Sequence, residues 1–390
     1  MIPTITLKKG KEASLYRKHP WVFSGAIATD CASLEDGQLV TVNSWNGKFL
    51  ALGHFQHGSI AVRVISFSEV DLNQEFWNTR IAEMVQLRKK LGLLSATNSI
   101  FRICHGEGDE LPGLVIDYYT GVAVIQCHSI GMIQHLDEIT EALRLSLGED
   151  LLAVYHKSAE TLPKRHAITD GYLYGEVPTP HYAKEDGITY AIDWINGQKT
   201  GFFVDQRDNR TMVGKLSQGK KVLNAFCYSG GFSLQALKNN ASVVYSLDSS
   251  QKAIALVEQN VQLNGMEDRH ISVAADAMEF MKELPEEFDI IILDPPAFAK
   301  HLDKKHKAVQ GYKRLNAHAL RQIKPGGILF TFSCSQVIDK MLFTNTVISA
   351  VIESKRQVRI LYQMHQPMDH PIGAFHPEGE YLKGLVLYVE

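Results

Sequence analysis

The stretch Val222-Leu223-Asn224-Ala225-Phe226-Cys227-Tyr228-Ser229-Gly230-Gly231-Phe232-Ser233 decides how the second half of this 390-residue chain is read. An apolar run ends in a polar turn, and two adjacent glycines open a helical pattern. Working outward, further nearly all-apolar runs stand at 243–247, 290–293 and 327–332. Helical stretches at 233–239, 251–264, 277–284 and 312–323 alternate with them. Strands without a polar face, separated by helices, predict a doubly wound α/β sheet buried on both sides. In such sheets ligands sit beyond the carboxyl ends of the strands, so chemistry is sought at four junctions.

At the first junction the Gly230-Gly231 pair lets backbone pass close to a ligand. Only part of a G-x-G-x-x-G is present and no GK[ST] follows, which argues against a nucleotide phosphate. Asp248 ends the next run about 20 residues on, where a carboxylate accepts both hydroxyls of a ribose. Asp276, in Ala275-Asp276-Ala277, follows a short run at 271–273. It suits an adenine amino group, although an aspartate there is also an ordinary helix N-cap. Glycine, acid and acid at successive junctions, with no phosphate-binding lysine, predict an adenosine carrying a sulfonium. A dinucleotide is the alternative.

At the fourth junction Leu293 runs into Asp294-Pro295-Pro296-Ala297-Phe298. The paired prolines fix the loop and hold Asp294 at the edge. The following strand ends in Thr331-Phe332-Ser333-Cys334-Ser335-Gln336, which brings Cys334 to the same edge. An acid beside a thiol suits a pyrimidine C5, a poor nucleophile until a thiolate adds at C6. A cysteine packed as a small hydrophobe is the plain alternative, and Cys227 in the glycine turn is the rival nucleophile. Cys31, Cys104 and Cys127 read as structural.

Residues 196–210, Asn-Gly-Gln-Lys-Thr-Gly-Phe-Phe-Val-Asp-Gln-Arg-Asp-Asn-Arg, read either as a hairpin and a helix capped by Asp205 or as the entrance to a cofactor and substrate site. Upstream, short strands around Asn46-Gly47 and at 60–65 predict a small β-barrel over 1–72. A connecting helix is expected at 73–94, and a small α/β unit at 95–180 ending at Pro178-Thr179-Pro180. The nucleotide fold takes 181–390.

Hydrophobic content of 45% with 21% charged residues is that of a folded globular chain, and no apolar run is long enough to cross a bilayer. Five scattered cysteines without a CxxC pair predict neither a disulfide framework nor a metal site, and with no secretory signal they point to the cytoplasm. The net charge of −3 does not preclude a local basic face. Lys8, Lys9, Lys11, Arg17 and Lys18 face a single Glu12 within the first 24 residues, the asymmetry a phosphate-contacting surface needs. Lys304, Lys305 and Lys307, in the loop expected after Asp294-Pro295-Pro296, form a second candidate, with a solvated loop as the default.

Taken together, Gly197–Arg207 (Gly-Gln-Lys-Thr-Gly-Phe-Phe-Val-Asp-Gln-Arg), the turn from Asn224 to Ser233, Asp294-Pro295-Pro296-Ala297-Phe298 and Ser333-Cys334-Ser335 resemble the RlmI-like family of class I methyltransferases. Residues 106–114 and Tyr381-Leu382-Lys383-Gly384-Leu385 extend the resemblance over essentially the whole chain. It implies an N-terminal PUA domain, a small central α/β domain and a C-terminal Rossmann-like domain that binds S-adenosylmethionine. It further implies 5-methylcytosine formation in large-subunit (23S) ribosomal RNA, with Cys334 as nucleophile and Asp294 as its partner. By the same match Phe203, Gln206, Arg210, Phe226, Cys227, Tyr228, Ser229, Gly230, Asp248, Asp276 and Asp294 would surround the cofactor, and a homodimer is expected. Two other readings compete. The Asp294-Pro295-Pro296 loop also resembles the (D/N)PP(Y/F) loop of amino-nitrogen methyltransferases acting at N4, N6 or guanine N2. The third reading is a non-catalytic RNA-binding protein.

Overall fold

The runs read as strands in the second half of the chain do join one sheet. The computed structural model describes residues 2–299 and 301–390. The chain forms two units, one of residues 1–184, 192–204 and 368–379, the other of 185–191, 205–367 and 380–390.

In the first unit, strands Thr4–Thr6, Leu39–Asn43, Phe49–Phe55, Ile60–Ser66 and Trp21–Phe23 form a five-stranded sheet in that order. Its core holds Ile5, Val22, Val40, Val42, Phe55 and Val62. The Asn46-Gly47 hairpin forms, but only Gly47 takes positive φ. The turn is wider than expected, with the Ser44 amide donating to the Lys48 carbonyl. Ile100–His105, Leu114–Tyr119, Val122–Cys127, Ala153–His156 and Gly171–Tyr174 form a second sheet. The turn at Thr120-Gly121 has positive φ at both positions, the geometry that suits the twist of a tight hairpin.

The helix expected as a connection is Gln74–Lys90, capped by the Asn73 side chain. It buries Trp77, Ile81, Met84 and Val85 in the same core as the second sheet, while Leu87 faces solvent. No hairpin forms at 196–204. Thr200 instead donates to the Asp117 carboxylate at 2.6 Å, and Asp117 also holds Arg102 in a two-toothed ion pair.

In the second unit, seven strands make one sheet: β1 (Lys221–Ala225), β2 (Val243–Asp248), β3 (His270–Ala274), β4 (Ile290–Leu293), β5 (Gly327–Ser333), β6 (Val358–His365) and β7 (Lys383–Val389). Their order is β3-β2-β1-β4-β5-β7-β6, all parallel except β7, which runs against both neighbours. The helices are α1 (Arg207–Leu216), α2 (Gly231–Lys238), α3 (Gln251–Leu263), α4 (Ala277–Phe280), α5 (Lys305–Gln322) and α6 (Lys340–Ser354). Two expectations are corrected here. The helix expected at 277–284 is a single turn, and the one expected at 312–323 begins at Lys305, so Lys305 and Lys307 are helical and not in a loop. None of the described helices is long and apolar enough to cross a membrane.

Strand order reverses between β1 and β4, where Ala225 lies beside Leu293. The residues that leave these two strands, Phe226 and Asp294, therefore open into the crevice at the switch point.

Candidate functional site

The β1 turn is held in an uncommon backbone form. Phe226, Tyr228 and Gly230 have φ of 61°, 45° and 78°. Left-handed conformations cost non-glycine residues about 1–3 kcal/mol each and gather at functional sites. Fixed contacts offset that strain. The Cys227 amide donates to the Leu247 carbonyl at 3.1 Å, the Tyr228 amide to Asp248 Oδ2 at 3.1 Å, and Asn260 Nδ2 to the Ser229 carbonyl at 2.9 Å. A Cβ on Gly230 would lie 2.1 Å from Val257 Cγ2, so glycine is required there for space as well as for φ.

Asp248 leaves β2 with Oδ2 on Tyr228 and Oδ1 accepting from the Ser250 amide at 2.9 Å. Its orientation is fixed by backbone on both sides, and each oxygen keeps acceptor capacity. Asp276 is an exposed N-cap accepting from the Glu279 amide at 3.0 Å, the ordinary role foreseen for it.

Arg210 is buried and gripped by Glu185 through two 2.7 Å hydrogen bonds. Its methylene chain is what keeps Gly231 bare, since a Cβ there would lie 2.7 Å from Arg210 Cδ. Gln206 donates a side-chain hydrogen bond to Asp294. Phe203 is partly buried and belongs to the first unit.

Asp205 does not cap α1. That position is Gln206, and Asp205 Oδ2 accepts from the Tyr381 hydroxyl at 2.7 Å. Oδ1 of Asp205 is buried without a hydrogen-bond partner. Burial pushes the Asp294 carboxyl up to about 7, the Asp205 charge adding to it against the Gln206 hydrogen bond and the Arg210 guanidinium. The neighbouring Asp205 carboxylate disfavours ionisation of Asp294, as like charges do.

Cys334 follows β5, beside β4 through the pairing of Thr331 with Leu293. It is partly exposed, between Ser333 and Ser335, which are fully buried. Ser333 Oγ donates to the Tyr312 hydroxyl at 2.9 Å and Ser335 Oγ to the Ala299 carbonyl at 2.7 Å, so both serines clamp the segment that presents the thiol. Burial pushes the Cys334 thiol up to about 11, with Asp294 and Asp205 adding to the rise and Lys383 opposing it. The rival Cys227 is fully buried and its thiol is driven higher, by burial and then by Asp248.

The sequence marks Asp205 only as a helix cap or part of an entrance segment, and Lys383 only within a stretch of the family resemblance, so neither receives a role at the site from sequence. Lys383 pairs with Ser333 across β5 and β7, and its Nζ donates to the carbonyls of Ser335 at 2.5 Å and Tyr381 at 2.9 Å. The basic residues are on the surface. Lys8, Lys9, Lys11, Arg17 and Lys18 are all exposed, with Lys9 over the Trp45 ring and Lys18 over Phe67. Lys304 ends a 3-10 turn ahead of α5.

A doubly wound sheet with a strained glycine turn and carboxylates gathered at its switch point has the form of a nucleoside-binding transferase site. A family model described as S-adenosylmethionine-dependent methyltransferase matches residues 102–368, and one described as PUA-like domain matches 5–67. The chain belongs to the S-adenosylmethionine-dependent methyltransferases, and S-adenosylmethionine is its cofactor. The chain is 39% identical over 401 residues to ribosomal RNA large subunit methyltransferase I of Aeromonas hydrophila, and 38% identical over 399 residues to the protein of that name from Shewanella denitrificans. Each alignment covers 99% of both chains. Among solved structures it is similar to a SAM-dependent methyltransferase assigned in Streptococcus mutans, with TM-score 0.85, 24% identity and full coverage of both chains. A methyltransferase complexed with SAH gives TM-score 0.86 at 24% identity, again over the full length of both chains. The expected fold class, a PUA-like domain ahead of a Rossmann-like methyltransferase domain, is borne out.

Proposed function

We propose that this chain forms 5-methylcytosine in large-subunit (23S) ribosomal RNA, with Cys334 as nucleophile and Asp294 as its acid–base partner. The names of its relatives support the RNA class, as does the PUA-like domain. The observation that carries the chemistry is a partly exposed thiol beside a carboxyl poised near neutrality, on adjacent strand ends at the switch point.

S-adenosylmethionine supplies the methyl group as a sulfonium electrophile. The Asp294 carboxylate takes the proton from Cys334 Sγ. The thiolate electron pair then forms a bond to cytosine C6, and the protonated Asp294 donates a hydrogen bond at N3 as the C5–C6 π electrons become available at C5. After C5 is methylated, a base removes the C5 proton, the C6–S bond breaks, and the thiolate leaves as the double bond re-forms. Asp248 orients the ribose, and Asp205 with the Arg210–Glu185 pair fixes the charge around the acid. Lys8, Lys9, Lys11, Arg17, Lys18, Lys304, Lys305 and Lys307 contact phosphates, and the target base is turned out of its stack to reach the thiol.

A transcript carrying 5-fluorocytidine tests this, because fluorine at C5 cannot leave as a proton. Wild-type protein with cofactor is expected to be trapped on it as a denaturant-stable adduct, and Cys334→Ala is not. Methylation by Cys334→Ala at the wild-type rate would overturn the C5 reading in favour of an amino-nitrogen target.

A further inference from the structure

Lys383 opens β7, an interior strand, and is 5% exposed, yet among the described residues its ammonium has only carbonyl partners and no carboxylate within ion-pair distance. Its two carbonyl partners satisfy hydrogens but carry no charge. Burying an unpaired cation costs several kcal/mol, whereas an apolar residue of similar length would fit a sheet position at no such cost. The two carbonyls belong to Tyr381 and to Ser335, the residue next to Cys334. They hold Nζ at the end of β5, where a thiolate would complete the pair.

We propose that Lys383 is a positioning residue whose ammonium is the counter-charge of the Cys334 thiolate, held ready by the Ser335 and Tyr381 carbonyls before substrate arrives. The idea rests on the reading of Cys334 as nucleophile, but its test does not need methyl transfer. Among the described residues, few charged groups act on this pair. Asp294 just after β4 and Asp205 before α1 oppose the thiolate, and Tyr312 on α5 lies within electrostatic reach of Cys334. Asp339 and Glu380 act on Lys383 only from a distance. Lys383 is therefore the one cation acting directly on the thiol among the described residues.

Burial brings the Lys383 amine down to about 8, so the ammonium is present at pH 7 and is lost as pH rises through that value. The sign of the effect follows. Below about 8 the thiolate at Cys334 is favoured by the charge, and above it the advantage disappears.

The experiment is alkylation of the cofactor-free, full-length protein by iodoacetamide, with the Cys334 peptide followed by mass spectrometry from about one and a half pH units below to about one and a half above the amine's value. At pH 7 Lys383→Gln, whose amide still donates to the carbonyls, is expected to slow alkylation of Cys334 by about tenfold. The two proteins converge above the lysine's value, and Lys383→Arg restores the fast rate across the range. Equal rates for wild type and Lys383→Gln at pH 7, or a constant ratio at every pH, overturn the proposal. If Lys383→Gln is recovered unfolded, Lys383→Arg decides. Its charge does not titrate, so its alkylation must keep rising with pH past about 8 where wild type flattens, and a wild-type profile overturns the proposal. Failure of the C5 mechanism would appear separately, as methyl transfer surviving in Cys334→Ala.

Discussion

Cys227 and Cys334 stand at the same carboxyl edge of one sheet, two strands apart, both raised by burial and neighbouring acids, and differ in access and in the presence of a cation. Cys227 is buried in the β1 turn with Asp248 as its charged neighbour, and among the described residues no cation is set against it. Cys334 is partly open, clamped by two buried serines, with an acid near neutrality on one side and an ammonium on the other. A thiol becomes a nucleophile through access and a means of losing its proton, and only one of these two has both. Cys334→Ala is accordingly expected to lower turnover by at least about a thousandfold, the scale lost when a covalent nucleophile is removed. S-adenosylmethionine affinity, measured by calorimetry, should stay within a few-fold, because Cys334 is not among the residues read as cofactor-binding.

The acid side of the contrast is tested by pH. Asp294 is raised to about 7, so the carboxylate that accepts the thiol proton accumulates as pH climbs through that value. For wild type, kcat/KM should rise through about 7 and decline above about 8, where the Lys383 ammonium is lost. Asp294→Asn cannot take the proton. It is expected to lose about 10²–10⁴-fold in kcat/KM and with it the limb near 7. A variant that kept that limb would assign it to another group.

How much of this was legible in the sequence follows from what each residue does locally. The central parallel strands announce themselves because burial on both faces leaves them nearly all apolar, as in the fully buried Ile290–Leu293. Lys383–Val389 hid because it opens with a charged residue, and a lysine in a buried strand contradicts the pattern by which strands are recognised. Val358–His365 is an edge strand whose Ile360, Leu361 and Tyr362 are exposed, so no alternation marks it. Helix α5 began earlier than expected because its N-cap, Lys304, offers no side-chain acceptor and therefore no start signal. Asp205 looked like a cap because an acid before a helix usually is one, and its true partner, Tyr381, is 176 residues away. Local chemistry was readable. Pairings set by the sheet were not.

The sealed cysteine gives the smallest effect and the sharpest control. Cys227→Ala removes one sulfur from a buried position while the amide that donates to the Leu247 carbonyl is backbone and survives. The positive φ values belong to Phe226 and Tyr228 on either side, so alanine at 227 meets no new conformational demand. The cost is that of a small cavity beside Asp248, about 1 kcal/mol of stability, read as a modest drop in the denaturant midpoint. Turnover should stay within about twofold, since a thiol held so far above neutrality supplies no thiolate to lose. If Cys227→Ala instead abolished adduct formation on the 5-fluorocytidine transcript while folding normally, the two cysteines would exchange roles, and the environment of the thiol would have failed as the guide to which one reacts.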